Sequence, residues 1–550
     1  MRIFLPLWGL FAPIFFVGIF TQLSAQTSIN GCGQRYKQKV FNSIQIYRDV
    51  VYSKNAPKLL TAGLGIETTY GRDLVMDVFM PPPTDTVTYR PMVILAHGGG
   101  FVDIAFMGGT VLVGTMDNED VQALADTLAH WGFVAACIEY RTGFDVLSGT
   151  SIMRAVWRGS QDISAGVRFF RKNHQWFGIN PNQVFIGGSS AGAFACLHST
   201  FIDDNERIPE SFEQTPIVMP DLGGMHSRPI EELTGFNPFV SNTVLGNDMD
   251  SIAKGIASFW GAIGDTAWFA GQNKAPVIMF HGDNDLVVDA ECAQPFSGLI
   301  LVAPTTCGSI KMDTPMTRNG ILHETHIEPG QGHEYWGVTN GDWGASGPNA
   351  FWLPMIQQTT SFFYKLIQPA TPNIVGALGA SPNSIHTYAI QNPSPNTKYC
   401  WQVTNGTIIN INNRTDSVRV IWANANVIGQ VKAQALDRAE VASLQRSINI
   451  YVNSSVVSVE ESNSQQFSIR AYPNPTQHSL FVELQTSSQS APLEMSLWDM
   501  LGRCVYTQKI NQPQTEQLLE LPVSDFPAGT YLLQTIQSGH RQQLKFGIYR

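Results

Sequence analysis

Two kinds of hydrophobic patterning alternate along the first two thirds of the chain, and only one continues after it. Between Gly65 and Pro369, short apolar runs bounded by Gly, Pro or polar residues alternate with stretches whose apolar positions recur at helical spacing. The runs Leu74–Phe79, Pro91–Ala96, Phe133–Tyr140, Val184–Gly187, Val277–Phe280 and His323–Ile327 predict strands, while Asn118–Trp131 and Gln161–Phe177 predict helices. Strands alternating with helices point to an α/β unit, a mostly parallel sheet flanked by helices. After Pro369 the helical period disappears and Pro, Asn, Ser and Thr rise. The alternating segments Tyr399–Val403, Ser417–Trp422, Gly429–Ala435 and Ser447–Val452 predict a small immunoglobulin-like sandwich. A polar linker and a second β-rich unit with regular turn signals follow, and no internal repeat unites the two.

At the other end, Arg2 precedes an apolar run from Ile3 to Phe20 that closes on Leu23-Ser24-Ala25. With Pro6 and Pro13 inside it, this run reads as a cleaved signal peptide rather than a membrane span. The expected organisation is therefore a signal peptide over 1–25, an α/β domain over 26–370, a β-sandwich over 371–452, a linker over 453–466 and a terminal β-domain over 467–550. The mature chain is expected to carry no transmembrane anchor.

Composition narrows the chemistry. The chain is 43% hydrophobic but only 14% charged, with a net charge of −10, so it offers no broad basic field for nucleic acid. Its 7 cysteines form no CxxC pair or zinc-like cluster, and no metal or cofactor is expected. Export would permit oxidation, so Cys292 and Cys307 are candidates to close a short loop, while Cys137 and Cys196, in apolar contexts, read as buried thiols.

The candidate chemistry lies at the ends of predicted strands. Gly188-Ser189-Ser190-Ala191-Gly192 follows the strand Val184–Gly187 and precedes a helix-compatible run, the setting of a nucleophile elbow with Ser190 at its apex. Small residues two places either side are needed because such a turn is crowded. His97-Gly98-Gly99-Gly100-Phe101 follows another strand, and its glycines would let backbone N–H groups approach an oxyanion. Gly99, Gly100 and Ala191 are the expected donors. Asp285, in His281-Gly282-Asp283-Asn284-Asp285, is the expected orienting acid, ahead of Asp283 and Asp289. His333, on the glycine-rich loop after His323–Ile327, is the expected base, whereas His323 and His326 lack the HExxH spacing of a zinc site. Phe101, Trp157, Trp260 and Trp336 are candidate pocket walls, with Asp103–Asp117 and Asp203–Asp248 as candidate covers.

On these motifs, Leu74 to Phe363 resembles the α/β-hydrolase superfamily, especially its HGGG-containing carboxylesterases of the hormone-sensitive-lipase and acetyl or feruloyl esterase type. The order Ser190, Asp285, His333 agrees with that fold, and GSSAG in place of the frequent GDSAG leaves the subfamily open. Tyr399–Ile408 resembles polycystic-kidney-disease-like modules. The terminal unit, with Tyr472-Pro473-Asn474-Pro475, Leu501-Gly502-Arg503 and Ala528-Gly529-Thr530-Tyr531, resembles the type A sorting domain of the type IX secretion system of Bacteroidota. These resemblances imply a secreted or surface-exposed serine carboxylesterase, exported through the periplasm with the type IX machinery as partner. Its substrate would be an ester of a polymer, glycan or lipid, with short acyl or glycan-linked acyl groups favoured. A peptidase or aminoacyl hydrolase of the same fold, a lipase, and a catalytically silent binding protein are the alternatives.

Overall fold

The computed structural model describes residues 33–61, 67–102, 113–144, 148–202, 251–296, 303–412, 414–453, 467–486, 489–500, 502–538 and 540–549. The expected signal peptide, nearly all of the linker, residues 103–112 of the first insert and the stretch 203–248 lie outside these. The chain divides into two compact units, Met1–Val456 and Val457–Arg550.

The first unit is built on an eight-stranded sheet. In chain order its strands are β1 (Gln45–Thr61), β2 (Glu67–Met80), β3 (Arg90–Ala96), β4 (Val134–Ile138), β5 (Ile179–Ser189), β6 (Ile256–Phe259), β7 (Val277–Gly282) and β8 (His323–Glu328). Across the sheet they run β1-β2-β4-β3-β5-β6-β7-β8. The β1–β2 and β2–β4 pairs are antiparallel, and every pair from β4 to β8 is parallel. All the parallel strands therefore end on one edge. The six strands read from apolar periodicity are present, but β1 and β6 were not anticipated: β1 is rich in charged and polar residues, and β6 is only four residues long.

Both faces of the sheet are covered, which explains why β3 and β4 are buried at every position. Period-two alternation sends Met92, Ile94 and Ala96 of β3 into one apolar cluster, and Val93 and Leu95 into the other. The first cluster is completed by α2 (Gly149–Lys172), α3 (Ala191–Phe201) and α4 (Ser309–Arg318), and the second by α1 (Glu119–His130) and α5 (Trp352–Ile367). In α1, Val121, Leu124, Ala125 and Leu128 make the buried stripe, and Glu119 and Asp120 sit in the first turn, where the helix dipole favours acids. The predicted helix over 161–177 begins earlier than its periodicity suggested, because Ser148 caps α2 by accepting the Ser151 N–H at 3.3 Å.

Residues 374–452 form two facing four-stranded sheets, their inner residues Val418, Val420 and Trp422 meeting Val431, Ala433 and Ala435. The second unit has a three-stranded and a four-stranded sheet around Leu480, Val482, Leu497 and Leu533. Three of its motif residues make fixing bonds. Asn474 Nδ2 donates to Lys545 O at 3.1 Å, Arg503 pairs with Asp499 at 2.7 Å, and the Tyr531 hydroxyl donates to Pro527 O at 2.8 Å.

Candidate active site

Ser190 lies where β5 turns sharply into α3, at φ 52° and ψ −116°. That backbone is one a serine adopts only when its surroundings impose it. They do so here: Ser190 donates its N–H to Phe259 O at 2.9 Å, and a Cβ on Gly192 would lie 2.2 Å from Ala96 O. The turn thus presses against the end of β3, so the small residue two places after the serine is a steric necessity. Ser189 points elsewhere. It is 1% exposed, and its Oγ accepts the Trp260 indole N–H at 2.9 Å.

Asp285 and His333 arrive on the loops after β7 and β8. Neighbouring strands stand about 4.8 Å apart, so a carboxylate two strands from the serine needs an imidazole to bridge the gap. His333 supplies it, with Nδ1 at 2.7 Å from Asp285 Oδ2 and Nε2 at 3.0 Å from Ser190 Oγ. Asp285 is fixed in turn, its Oδ1 accepting the N–H groups of Val287 at 2.8 Å and Val288 at 2.9 Å. His281, fully buried, packs behind it, with Nε2 at 2.8 Å from Val288 O and 3.3 Å from Asp285 Oδ2. Burial pushes the Asp285 carboxyl up, but hydrogen bonds to His281 and His333 outweigh it and hold the group well below the usual carboxylate range. The other acids serve the loops. Asp283 accepts the Gly330 N–H at 2.6 Å, which pins the loop carrying His333, and Asp289 accepts the Glu291 N–H at 2.7 Å. Cys292 and Cys307 are joined in a disulfide nearby in the chain.

A cavity of about 290 Å³ opens at Ser190. Gly100 and Ala191 line it beside the serine, while Gly99 packs against Gly114 instead. Its walls are apolar: Ile152, Met153, Val156 and Trp157 from α2, with Phe101, Phe144, Phe194, Trp268 and Phe296 from elsewhere. His198 is a buried polar residue among them. Burial lowers its pKa to about 4, its Nδ1 lies 2.7 Å from Phe194 O, and its Nε2 accepts the Gly264 N–H at 3.2 Å, so it is a neutral wall and not a second base.

Of the four expected wall residues, Phe101 and Trp157 face the cavity, and Trp260 and Trp336 do not. Both of these tryptophans are 0% exposed, pack edge to face at 4.6 Å and belong to the apolar cluster on the α1 and α5 side of the sheet. Trp260 lies behind His333, its ring centroid 6.1 Å from that of the imidazole. The walls missed at Phe144, Phe194, His198, Trp268 and Phe296 are scattered over helices and loops. Only the pairs Ile152/Val156 and Met153/Trp157 carried a signal, as neighbours four apart on one helix.

Two antiparallel strands leading into a parallel sheet of this order, with serine, acid and histidine on the loops after β5, β7 and β8 at its carboxyl edge, place the chain in the α/β-hydrolase fold class. Within that class, residues 76–217 match the family BD-FAE, a stretch that contains Gly99, Gly100 and Ser190 and ends before Asp285 and His333. Residues 470–548 match the secretion system C-terminal sorting domain, which marks the chain for export to the cell surface or beyond. Among curated proteins, the chain is 30% identical over 122 residues to gut esterase 1 of Caenorhabditis elegans, covering 22% of this chain and 19% of that protein. It is 30% identical over 156 residues to carboxylesterase 3B of Mus musculus, covering 27% and 25%. The chain thus spans about a fifth to a quarter of these curated relatives. Among solved structures, esterase 2 of Thermogutta terrifontis, phosphorylated by paraoxon, is 17% identical with a TM-score of 0.33, covering 56% of this chain and 94% of that one. Among the described residues no helix is long and apolar enough to cross a membrane.

Proposed function

We propose that the chain hydrolyses carboxylic esters outside the cell through an acyl-enzyme on Ser190. The continuous hydrogen-bonded series from Asp285 through His333 to Ser190, at the mouth of an apolar cavity, carries this reading. His333 Nε2 takes the Ser190 proton as Oγ bonds to the ester carbon, and the N–H groups of Gly100 and Ala191, which line the cavity beside Ser190, receive the oxyanion. The carbon–alkoxy bond then breaks, with the proton passing from Nε2 to the departing alcohol. Water then bonds to the acyl carbon as His333 takes its proton, the carbon–Oγ bond breaks, and Nε2 returns the proton to Ser190 as the acid leaves. Asp285, kept ionised by its partners, holds the imidazole in the required tautomer and stabilises its charged form.

The cavity takes the acyl group. Its lining of aromatic and aliphatic side chains suits acyl groups from short aliphatic chains up to an aromatic acid, on a small alcohol or a glycan, and its bounded size disfavours long fatty chains. The sorting domain hands the protein to its secretion machinery and takes no part in the chemistry.

The test is a comparison of Ser190→Ala and Ser189→Ala on purified protein, with p-nitrophenyl acetate, butyrate and hydroxycinnamate esters and a fluorophosphonate label. Ser190→Ala should lower kcat by about a million-fold and abolish labelling. Ser189→Ala removes one buried hydrogen bond, costing about 1 kcal/mol of stability, and should keep most of the turnover. Undiminished turnover in the Ser190 variant would sink the reading.

A further inference from the structure

The loop that carries the base and the loop that carries the oxyanion glycines are joined by a chain of part-buried contacts that the Ser190–His333–Asp285 series does not use. On the glycine side, Gly99 at φ +99° lies against Gly114: a Cβ on Gly99 would fall 2.1 Å from Gly114 N, and one on Gly114 would fall 2.3 Å from Gly98 O. Any shift of the 113–114 backbone therefore moves the glycines. That backbone is held by Asn340, whose Nδ2 donates to Val113 O at 2.6 Å, and by Asn118, whose Oδ1 accepts the Thr115 N–H at 2.6 Å. Asn118 in turn donates from Nδ2 to Asn340 O at 2.7 Å.

On the base side the anchor is Glu334, the residue after His333. It sits at φ 54°, is 7% exposed, and accepts the backbone N–H groups of Asn340 and Gly341. Its Oε1 also lies 3.6 Å from where a Cβ on Gly98 would stand, so the carboxylate faces the glycine loop as well as being linked to it through Asn340. Burying a carboxylate is costly, and two backbone donors in a strained turn are the kind of local compensation that keeps one in place.

We propose that Glu334 is a positioning residue that, with Asn340, fixes the loop of His333 relative to the Gly98–Gly100 loop, so that base and oxyanion donors keep a common register around Ser190. This rests on the ester-hydrolase reading above. A displacement of a reacting group by about 1 Å can cost on the order of 100-fold in rate, so a loosened link should appear in turnover before it appears in binding. Gly98 and Gly114 have no side chains with which to hold their own positions, which leaves the work to the side chains behind them.

The experiment uses the full chain with Glu334→Ala, which removes the acceptor of the Asn340 and Gly341 N–H groups, and Asn340→Gly, which tolerates φ 52° and deletes the bond to Val113. Each variant should lose about 10- to 100-fold in kcat with KM changed less than about twofold, and should bind a trifluoromethyl ketone oxyanion mimic correspondingly less tightly. The double variant should be little worse than either single one, because both break the same link. Wild-type kcat in Glu334→Ala, fully additive losses in the double variant, or a fall in kcat matched only by a fall in Tm with ketone affinity unchanged, would each overturn the proposal. Fluorophosphonate labelling of wild type separates the two readings: an unlabelled, inactive wild type defeats the hydrolase assignment, whereas a labelled and active one leaves any failure to the positioning role alone.

Discussion

Two small β-sandwiches follow the hydrolase sheet, and they stand in different relations to the rest of the chain. The sandwich of residues 374–452 has its own core of Tyr388, Trp401, Trp422 and Val431, yet the turn after its 427–436 strand leaves that core. Ala439 and Val441 of the turn belong to the apolar cluster of the hydrolase, alongside Tyr36 and Tyr364. The Tyr36 hydroxyl donates to Ala439 O at 2.7 Å. The Tyr364 hydroxyl meets both polar groups of Ala442, accepting from N–H at 2.6 Å and donating to O at 3.1 Å. Burial pushes the Tyr364 hydroxyl up to about 12, so it stays protonated as these bonds require. Arg35 adds an ion pair on each side, to Asp85 at 2.9 Å and Glu440 at 3.2 Å. The terminal sandwich instead closes on its own core and makes up a compact unit from Val457 onward. A change of composition along a chain therefore marks a change of element type, and does not mark where packing stops.

The contrast can be broken most severely by deletion. Ending the chain at Pro369 should strip cover from Tyr36, Tyr364 and their apolar neighbours and leave buried hydroxyls without partners, so we expect aggregation or loss of nearly all esterase activity, read by size-exclusion chromatography and ester turnover. A smaller effect tests the same junction: Tyr364→Phe leaves the Ala442 N–H without its partner and should cost about 1–3 kcal/mol, seen as a Tm lower by a few degrees with kcat unaltered. The smallest effect is expected from ending the chain at Val456, which removes only the second unit. Activity and the Tm of the hydrolase transition should stay at their full-length values, while in a native host the esterase should fail to reach the surface or medium. A drop in turnover there would mean that the two sandwiches are alike after all.

Much of the site was legible because it is built from local motifs at strand ends. Ser190 and Asp285 each follow an apolar run long enough to be read as a strand, and His333 follows the strand-like His323–Ile327; parallel strands bring their carboxyl ends to one edge, so sequence position carried over into spatial position. The choice of Asp285 over Asp283 turned on a short motif; in the structure Asp285 faces the His333 imidazole and Asp283 braces the loop. Aromatic residues were less readable. Trp157 and Trp260 have comparable neighbours in the sequence, yet one walls the cavity and the other lies on the far cluster bonded to Ser189.

The sequence by itself determined what depends on short stretches of chain: the alternation of strands and helices, the sharp turn at Ser190, the order of Ser190, Asp285 and His333 along the chain, the turn to all-β structure after Pro369 and the motifs of the sorting tail. Period and turn chemistry are properties of a few neighbouring residues, so no distant contact is needed to specify them. Only the tertiary structure decided which side of the sheet each large side chain would meet, which residues would enclose the cavity, and that the middle sandwich would lend Ala439 and Val441 to the hydrolase core. Those outcomes depend on surfaces hundreds of residues apart being complementary, as with Tyr36 and Ala439 at a separation of 403, and close packing selects such partners by shape, which a linear pattern of polar and apolar positions does not encode.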